Sequence, residues 1–245
     1  MPPHIKQAAW AIAAGVALTS QSALADSLSF DGLYYSGADT VHIVNTPTSQ
    51  NEYVYSGGFK MHDTTAAWTM GSVTIPKNAS FMAWCIDIYD NMQSYNYTLK
   101  TDPNLSTVVY GKLTAAKELE LERLASNNLS MVVNAKTSSA FQLAAWEIMA
   151  ETGPVLDVKN DANKGSFYTY GDALGADTLA NQWLANLGSA APTLKLYVWQ
   201  ANTSGHTQDL AVFAPVPEPE TYALMLAGLG LLGLVSKRRK QAAAA

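Results

Sequence analysis

The sequence predicts an α+β domain: a β-sandwich or barrel with a helical insertion, and a short apolar segment at each terminus. Three observations predict it. The first half carries short aromatic and β-branched runs broken by Gly, Asn and Ser, the middle switches to helical periodicity, and the end returns to strand alternation.

The runs at 28–35, 41–44, 52–61, 69–75, 81–89 and 95–99 read as strands. Gly57-Gly58 suggests a bulge or turn inside the third, and 107–113 is rich enough in Val and Tyr to suggest one strand more. Thr114 then offers a cap for a helix over 115–125, whose Lys117, Glu118, Glu120, Glu122 and Arg123 suggest a solvated face. A second helix is expected from Ser138 or Ser139 to about Glu151, stopped by Gly153-Pro154. Asp177 suggests the cap of a third, with Leu179, Trp183 and Leu187 on one face. Residues 157–176 are rich in Asp, Asn and Gly and read as a long surface loop. The helical part therefore covers about 114–187. The alternation at 193–200, the turn at 202–208 and the run 210–213 form a hairpin.

The whole chain has formal net charge −5. Between residues 26 and 216 it carries ten Lys and Arg against eighteen Asp and Glu, a net charge of −8. With no basic stripe there, nucleic acid is not an expected partner. His42, His62 and His206 lack ligand spacing, so no metal site is expected. Asp161 to Gly165 begins like a calcium loop but lacks the remote acidic ligand. No G-x-S-x-G elbow occurs, and no cofactor is implied.

Both termini read as export signals. Lys6, an apolar stretch over 8–18 and Ala23-Leu24-Ala25 before Asp26 form a signal peptide, with signal peptidase cutting between Ala25 and Asp26. At the other end, Pro217-Glu218-Pro219 precedes an uncharged run over 222–235 and then Lys237-Arg238-Arg239. That run is shorter than the roughly 20 apolar residues that span a bilayer; snorkelling basic side chains would lengthen it, and they orient it with the C-terminus inside. Gly228, Gly230 and Gly233 fit G-x-G-x-x-G, but without a strand–turn–helix context they suit close helix packing instead. The tail, from Val216 to about Lys240, resembles the PEP-CTERM sorting signal of Gram-negative bacteria. That resemblance implies an exosortase as processing enzyme, transient residence in the inner membrane, removal of the tail, and a biofilm or exopolysaccharide setting. The expected organisation is a signal peptide at 1–25, one domain at 26–214, a sorting tail at 215–240 and an alanine end at 241–245.

Within the domain, the lone Cys85 lies in an apolar strand, where period-two alternation puts it on one face with Ala83 and Asp87. Gln142 lies on an apolar helix face with Ala145, Trp146 and Met149. One reading is an inert core thiol and a glutamine closing a capping box with Ser139. The segments Trp84-Cys85-Ile86-Asp87 and Gln142-Leu143-Ala144-Ala145-Trp146 also resemble the two signatures of bacterial thioester domains, with Phe141 where that family favours Thr. The resemblance implies that the Cys85 sulfur joins the Gln142 carbonyl, in a pocket with Trp84, Asp87 and Trp146. The bond would be open to a surface amine.

The expected function is thus a non-enzymatic, exported surface or matrix protein, adhesive or structural, carrying a Cys85–Gln142 thioester. The alternative is a carbohydrate-binding module or polysaccharide-acting enzyme that stacks sugars on tyrosines such as Tyr53, Tyr55 and Tyr170.

Overall fold

A computed structural model describes residues 26–37, 39–101, 106–159, 161, 164–172, 174–202, 207–216, 227–230 and 232. Eleven strands and three α-helices are assigned among them. The strands are β1 (Asp26–Leu33), β2 (Asp39–Asn45), β3 (Gln50–Ser56), β4 (Phe59–Asp63), β5 (Trp68–Met70), β6 (Val73–Ile75), β7 (Ser80–Cys85), β8 (Tyr95–Lys100), β9 (Phe167–Tyr170), β10 (Leu194–Ala201) and β11 (Leu210–Pro215). The helices are α1 (Ala115–Asn128), α2 (Ala135–Ala150) and α3 (Ala176–Ala185).

Six strands close an antiparallel barrel in the order β1-β4-β7-β11-β10-β8. The predicted C-terminal hairpin is β10–β11, in register from Leu194↔Pro215 to Trp199↔Leu210. The predicted third strand is two strands. Gly57-Gly58 breaks it, so that β3 joins a three-stranded sheet (β3-β2-β9) while β4 enters the barrel. Gly58 is also a point of close approach to β7: a Cβ there would lie 2.8 Å from Met82 Sδ and 2.9 Å from Trp84 Cη2. The run at 69–75 is likewise a small hairpin, β5–β6. Its Trp68 packs edge-on to Phe81 and Trp199, with ring centroids 4.9 and 5.0 Å away.

Five expectations are corrected. Residues 107–113 form no strand, because Val109 and Tyr110 take left-handed φ of 47° and 53° in a 3-10 turn. The 157–176 segment is no simple loop, since Phe167–Tyr170 pairs with β2. α2 starts at Ala135, where Asn134 and Thr137 form a reciprocal capping box, so Ser138 and Ser139 lie inside the helix. α3 starts after Gly175 (φ 68°), so Asp177 lies within its first turn rather than at the cap; Asp172 accepts from Asp177 N, and Asp177 Oδ1 accepts from Thr178 N. The charged face of α1 is half-buried and bonded to its neighbours: Arg123 donates to Ser189 O and Ala190 O, and Glu122 accepts from Leu196 N.

α2 is the central element. Every residue from Ser138 to Ala150 is buried. The helix packs against α1 and α3 on one side and against β2, β3, β7 and β9 on the other. A helix apolar all round belongs inside a domain. The polar exceptions on it are therefore where chemistry and specificity concentrate.

No helix among the described residues is long and apolar enough to cross a membrane. Residues 227–230 and 232 are helical. The signal peptide with Ala25, and the tail residues Pro217, Glu218, Pro219, Lys237, Arg238 and Arg239, lie outside the described residues; Asp26 opens β1.

Candidate functional site: a cysteine–glutamine junction

β7 ends at Cys85, opposite Leu210 of β11. The chain then leaves the strand, and Ile86 N donates to Asp209 O at 3.1 Å. The expected alternation thus stops at Cys85. Two serines on α2 tie it to the β3–β4 junction, which lies against β7. Ser138 Oγ accepts from Gly58 N at 2.9 Å, and Ser139 Oγ donates to Ser56 O at 2.8 Å. One turn further along, the side chain of Gln142 meets Cys85.

The contact is two-pronged. Cys85 N donates to Gln142 Oε1 at 3.1 Å, and Gln142 Nε2 donates to Cys85 O at 2.7 Å. Both residues are fully buried. Gln142 therefore does not close a helix terminus; its partner is 57 residues away in sequence. A buried amide left unpaired costs about 1–3 kcal/mol, and here the amide uses both its donor and acceptor ends on one backbone unit.

The sulfur has its own surroundings. Cys85 Sγ donates to Asp87 O at 3.2 Å. Burial pushes the thiol well above its ordinary range, the Trp146 indole N–H works against that shift, and the charge of Asp87 adds to it. That N–H lies near the sulfur without completing a hydrogen bond, and it has no other partner. Asp87 reaches the sulfur through its backbone carbonyl. Its carboxylate turns instead to Tyr89 N, at 3.1 Å. Burial raises the Asp87 carboxyl to about 7, opposed by the Tyr89 N–H and aided by Asp209 and Asp90. Trp84 alternates to the other face of β7 and packs on Phe141 at 4.3 Å. Phe141 also touches Phe213, 6.0 Å away, so its bulk fills a gap between α2 and the barrel.

Asp209 has no counterpart in the sequence reading. It is buried, accepts from Val109 N and Ala201 N at 2.8 Å each, and lines a polar cavity of about 320 Å³ with Asp87, Lys100 and Tyr110. Burial raises its pKa against those two amides. A single carboxylate beside a turn gave no sequence signal for this role. A second cavity, of about 280 Å³, lies where Trp146, Ile88 and β3 meet.

Fold and site together define a β-barrel domain whose central helix holds a buried cysteine–glutamine junction. The PEP-CTERM protein-sorting motif matches residues 215–240. Two solved structures are similar at low identity. One is the N-terminal thioester domain of a surface protein from Clostridium perfringens, a cysteine-to-alanine mutant, at 11% identity, TM-score 0.41, covering 64% of this chain and 89% of that one. The other is the N-terminal domain of the Streptococcus pyogenes pilus tip adhesin Cpa, at 11% identity, TM-score 0.38, covering 72% of this chain and 94% of that one. No curated protein matches this chain.

Proposed function

We propose that the chain is a non-enzymatic surface or matrix protein, exported by a signal peptide and sorted through residues 215–240 by an exosortase that removes the tail. Its work at the surface is adhesive, in a biofilm or exopolysaccharide setting, and the Cys85–Gln142 junction matures to a thioester. The single observation that carries the thioester is the paired hydrogen bonding of the Gln142 amide to Cys85.

The chemistry balances within the site. The sulfur adds to Gln142 Cδ, the Cδ–Nε2 bond breaks, and the thiol proton leaves on nitrogen as ammonia. Cys85 N–H already donates to Oε1, the oxygen that would gain charge during addition, so it acts as a preorganised oxyanion donor. Burial opposes thiolate formation, and the Trp146 N–H offsets part of that cost. The same burial keeps water from hydrolysing the product. A partner amine would reverse the logic: its nitrogen bonds to Cδ, the C–S bond breaks, and a proton passes to sulfur.

The experiment is exposure of the purified chain to methylamine, followed by peptide mapping. A methylamide on Gln142 with a newly alkylatable Cys85 is the expected result; an unmodified Gln142 contradicts the thioester. Export is tested separately, by following a chain truncated before Val216. It should reach the periplasm and fail to appear at the surface.

One observation favours a second reading. On the outer face of the small sheet, His42 lies between Tyr53 (4.5 Å) and Tyr170 (4.2 Å), and Tyr53 and Tyr55 are 70% and 67% exposed. Such a row can stack on sugar rings. Calorimetric binding of matrix polysaccharide, lost in Tyr53→Ala and Tyr55→Ala, would establish it; undiminished binding in those variants would remove it.

A further inference from the structure

The 320 Å³ polar cavity is built at one end of the barrel. Lys100 of β8 and Gln200 of β10 line it, together with Asp87 and Asp209, which flank β7 and β11. β11 runs from Leu210, opposite Cys85, to Pro215. Five steps of about 3.4 Å put its ends roughly 17 Å apart. The sorting motif begins at residue 215, so the chain leaves β11 at the end away from this cavity.

The lining mixes donors and acceptors. Asp87 and Asp209 are both buried. Asp209 gives its two oxygens to backbone amides, Val109 N and Ala201 N. Asp87 Oδ1 accepts from Tyr89 N, and its Oδ2 has no hydrogen bond among the described residues. The Lys100 ammonium and the Gln200 amide likewise make none among the described residues. A carboxylate acceptor, an ammonium and an amide that both donates and accepts are thus left for a ligand.

Tyr110 adds an aromatic ring to the wall. It is half-exposed, yet its turn is pinned twice: Asp209 accepts from Val109 N, and Asp90 Oδ2 accepts from the Tyr110 hydroxyl. Both residues of that turn hold left-handed φ, which a β-branched residue such as Val109 rarely adopts. The ring is therefore held in place rather than left to swing.

These features choose among ligands. An anion meets two carboxylates. A cation meets Lys100 and finds Asp209 already bonded to two amides. An apolar molecule leaves the polar groups unpaired. A hydroxyl donates and accepts at once, so a ring of hydroxyls matches the mixed lining, and the carbon face of such a ring suits an aromatic wall. The volume is at the low end of ligand pockets, which run from about 300 to 1,000 Å³, and so favours one sugar ring over an extended ligand.

We propose that this cavity binds a neutral pyranose unit of a glycan, with Tyr110 stacking on the ring and Asp87, Lys100 and Gln200 bonding its hydroxyls. The site shares no lining residue with the Tyr53–Tyr55 face and needs no thioester, so it goes beyond both readings above.

The test follows backbone amide resonances of the purified full chain during titration with the methyl glycosides of glucose, mannose and galactose. At least one should saturably shift Val109 and Ala201, whose N–H groups bond Asp209. Cyclohexanol, a ring with one hydroxyl, should bind about tenfold more weakly or less. Tyr110→Ala and Gln200→Leu should each weaken the glycoside by a similar factor, and an unchanged urea midpoint shows that the fold is kept; Gln200→Leu removes no hydrogen bond within the described residues. No saturable shift with any of the three glycosides overturns the proposal. So do equal binding of cyclohexanol, unchanged affinity in both variants, or shifts confined to the Tyr53–His42–Tyr170 sheet. None of these readouts depends on the bond at Gln142.

Discussion

α2 carries buried polar groups at both ends of its buried stretch, and the two ends solve burial differently. Towards the N-terminus, Gln142 is neutral and gives both ends of its amide to Cys85. Towards the C-terminus, Glu147 and Glu151 are carboxyls with unequal donor sets. Glu151 accepts from Thr152 N, Gly153 N, Ser166 N, Ser166 Oγ and Phe167 N, and these donors outweigh burial and lower its pKa. Glu147 has one donor, Asp157 N at 2.7 Å, and its Oε2 is unpaired. Burial therefore pushes it up to about 8, with Glu151 and Asp157 adding to the shift. Glu147 is the more deeply buried and has the fewer N–H groups aimed at its oxygens, and both differences set its charge apart from that of Glu151. The glutamine end spends its polarity on one long-range contact with a reactive side chain, and the glutamate end spends it folding the 152–167 segment onto the helix.

The comparison breaks most severely at the glutamine. Gln142→Leu leaves the Cys85 N–H and carbonyl without their side-chain partners, and should cost about 2–5 kcal/mol in urea unfolding. A cost below 1 kcal/mol would mean that the junction is not structurally coupled. At the other end, Gly165 faces Glu151 so closely that a Cβ would lie 2.0 Å from Oε2. Gly165→Ala should therefore destabilise by on the order of 2 kcal/mol, by displacing the carboxylate from its donors. The loss should appear first as amide exchange in residues 152–167.

The charge contrast sharpens through pH. Because Glu147 has a raised folded pKa, its contribution is fully present below its ordinary value of 4.5 and is lost as pH rises through about 8. Glu147→Gln should remove that decline, so the gap in stability between variant and parent should move in the variant's favour from pH 5 to pH 8. A constant gap would contradict the raised pKa. The smallest effect belongs to Lys117, whose ammonium caps the helix end at Met149 O, 2.6 Å away. Lys117→Met should cost no more than about 1 kcal/mol.

The same contrast explains what could be read in the sequence. Cys85 and Gln142 were legible because each sits as one polar group in a short apolar motif, and because a resemblance paired them across 57 residues. Barrel strands and α1 were legible from alternation, periodicity and the Thr114 cap. The capping-box reading of Ser139 and Gln142 fitted the local spacing equally well, and only tertiary contact with Ser56 and Cys85 separates the two. β9 was hidden because its four residues lie amid Asp, Asn and Gly, and its partner β2 is more than a hundred residues earlier. Val108-Val109-Tyr110 has strand composition, yet Asp209 fixes Val109 N from a hundred residues away and the turn stays left-handed. Long-range carboxylate contacts of this kind leave no local periodicity.

The proposed maturation of the Cys85–Gln142 junction to a thioester changes the mass of the chain. Intact-mass measurement of the exported chain, without reducing or nucleophilic reagents, tests it most directly. The mature chain should be lighter by one ammonia than its sequence mass, with Cys85→Ala showing its full calculated mass. Full mass in the parent, together with a titratable Cys85 thiol after unfolding, would contradict the claim.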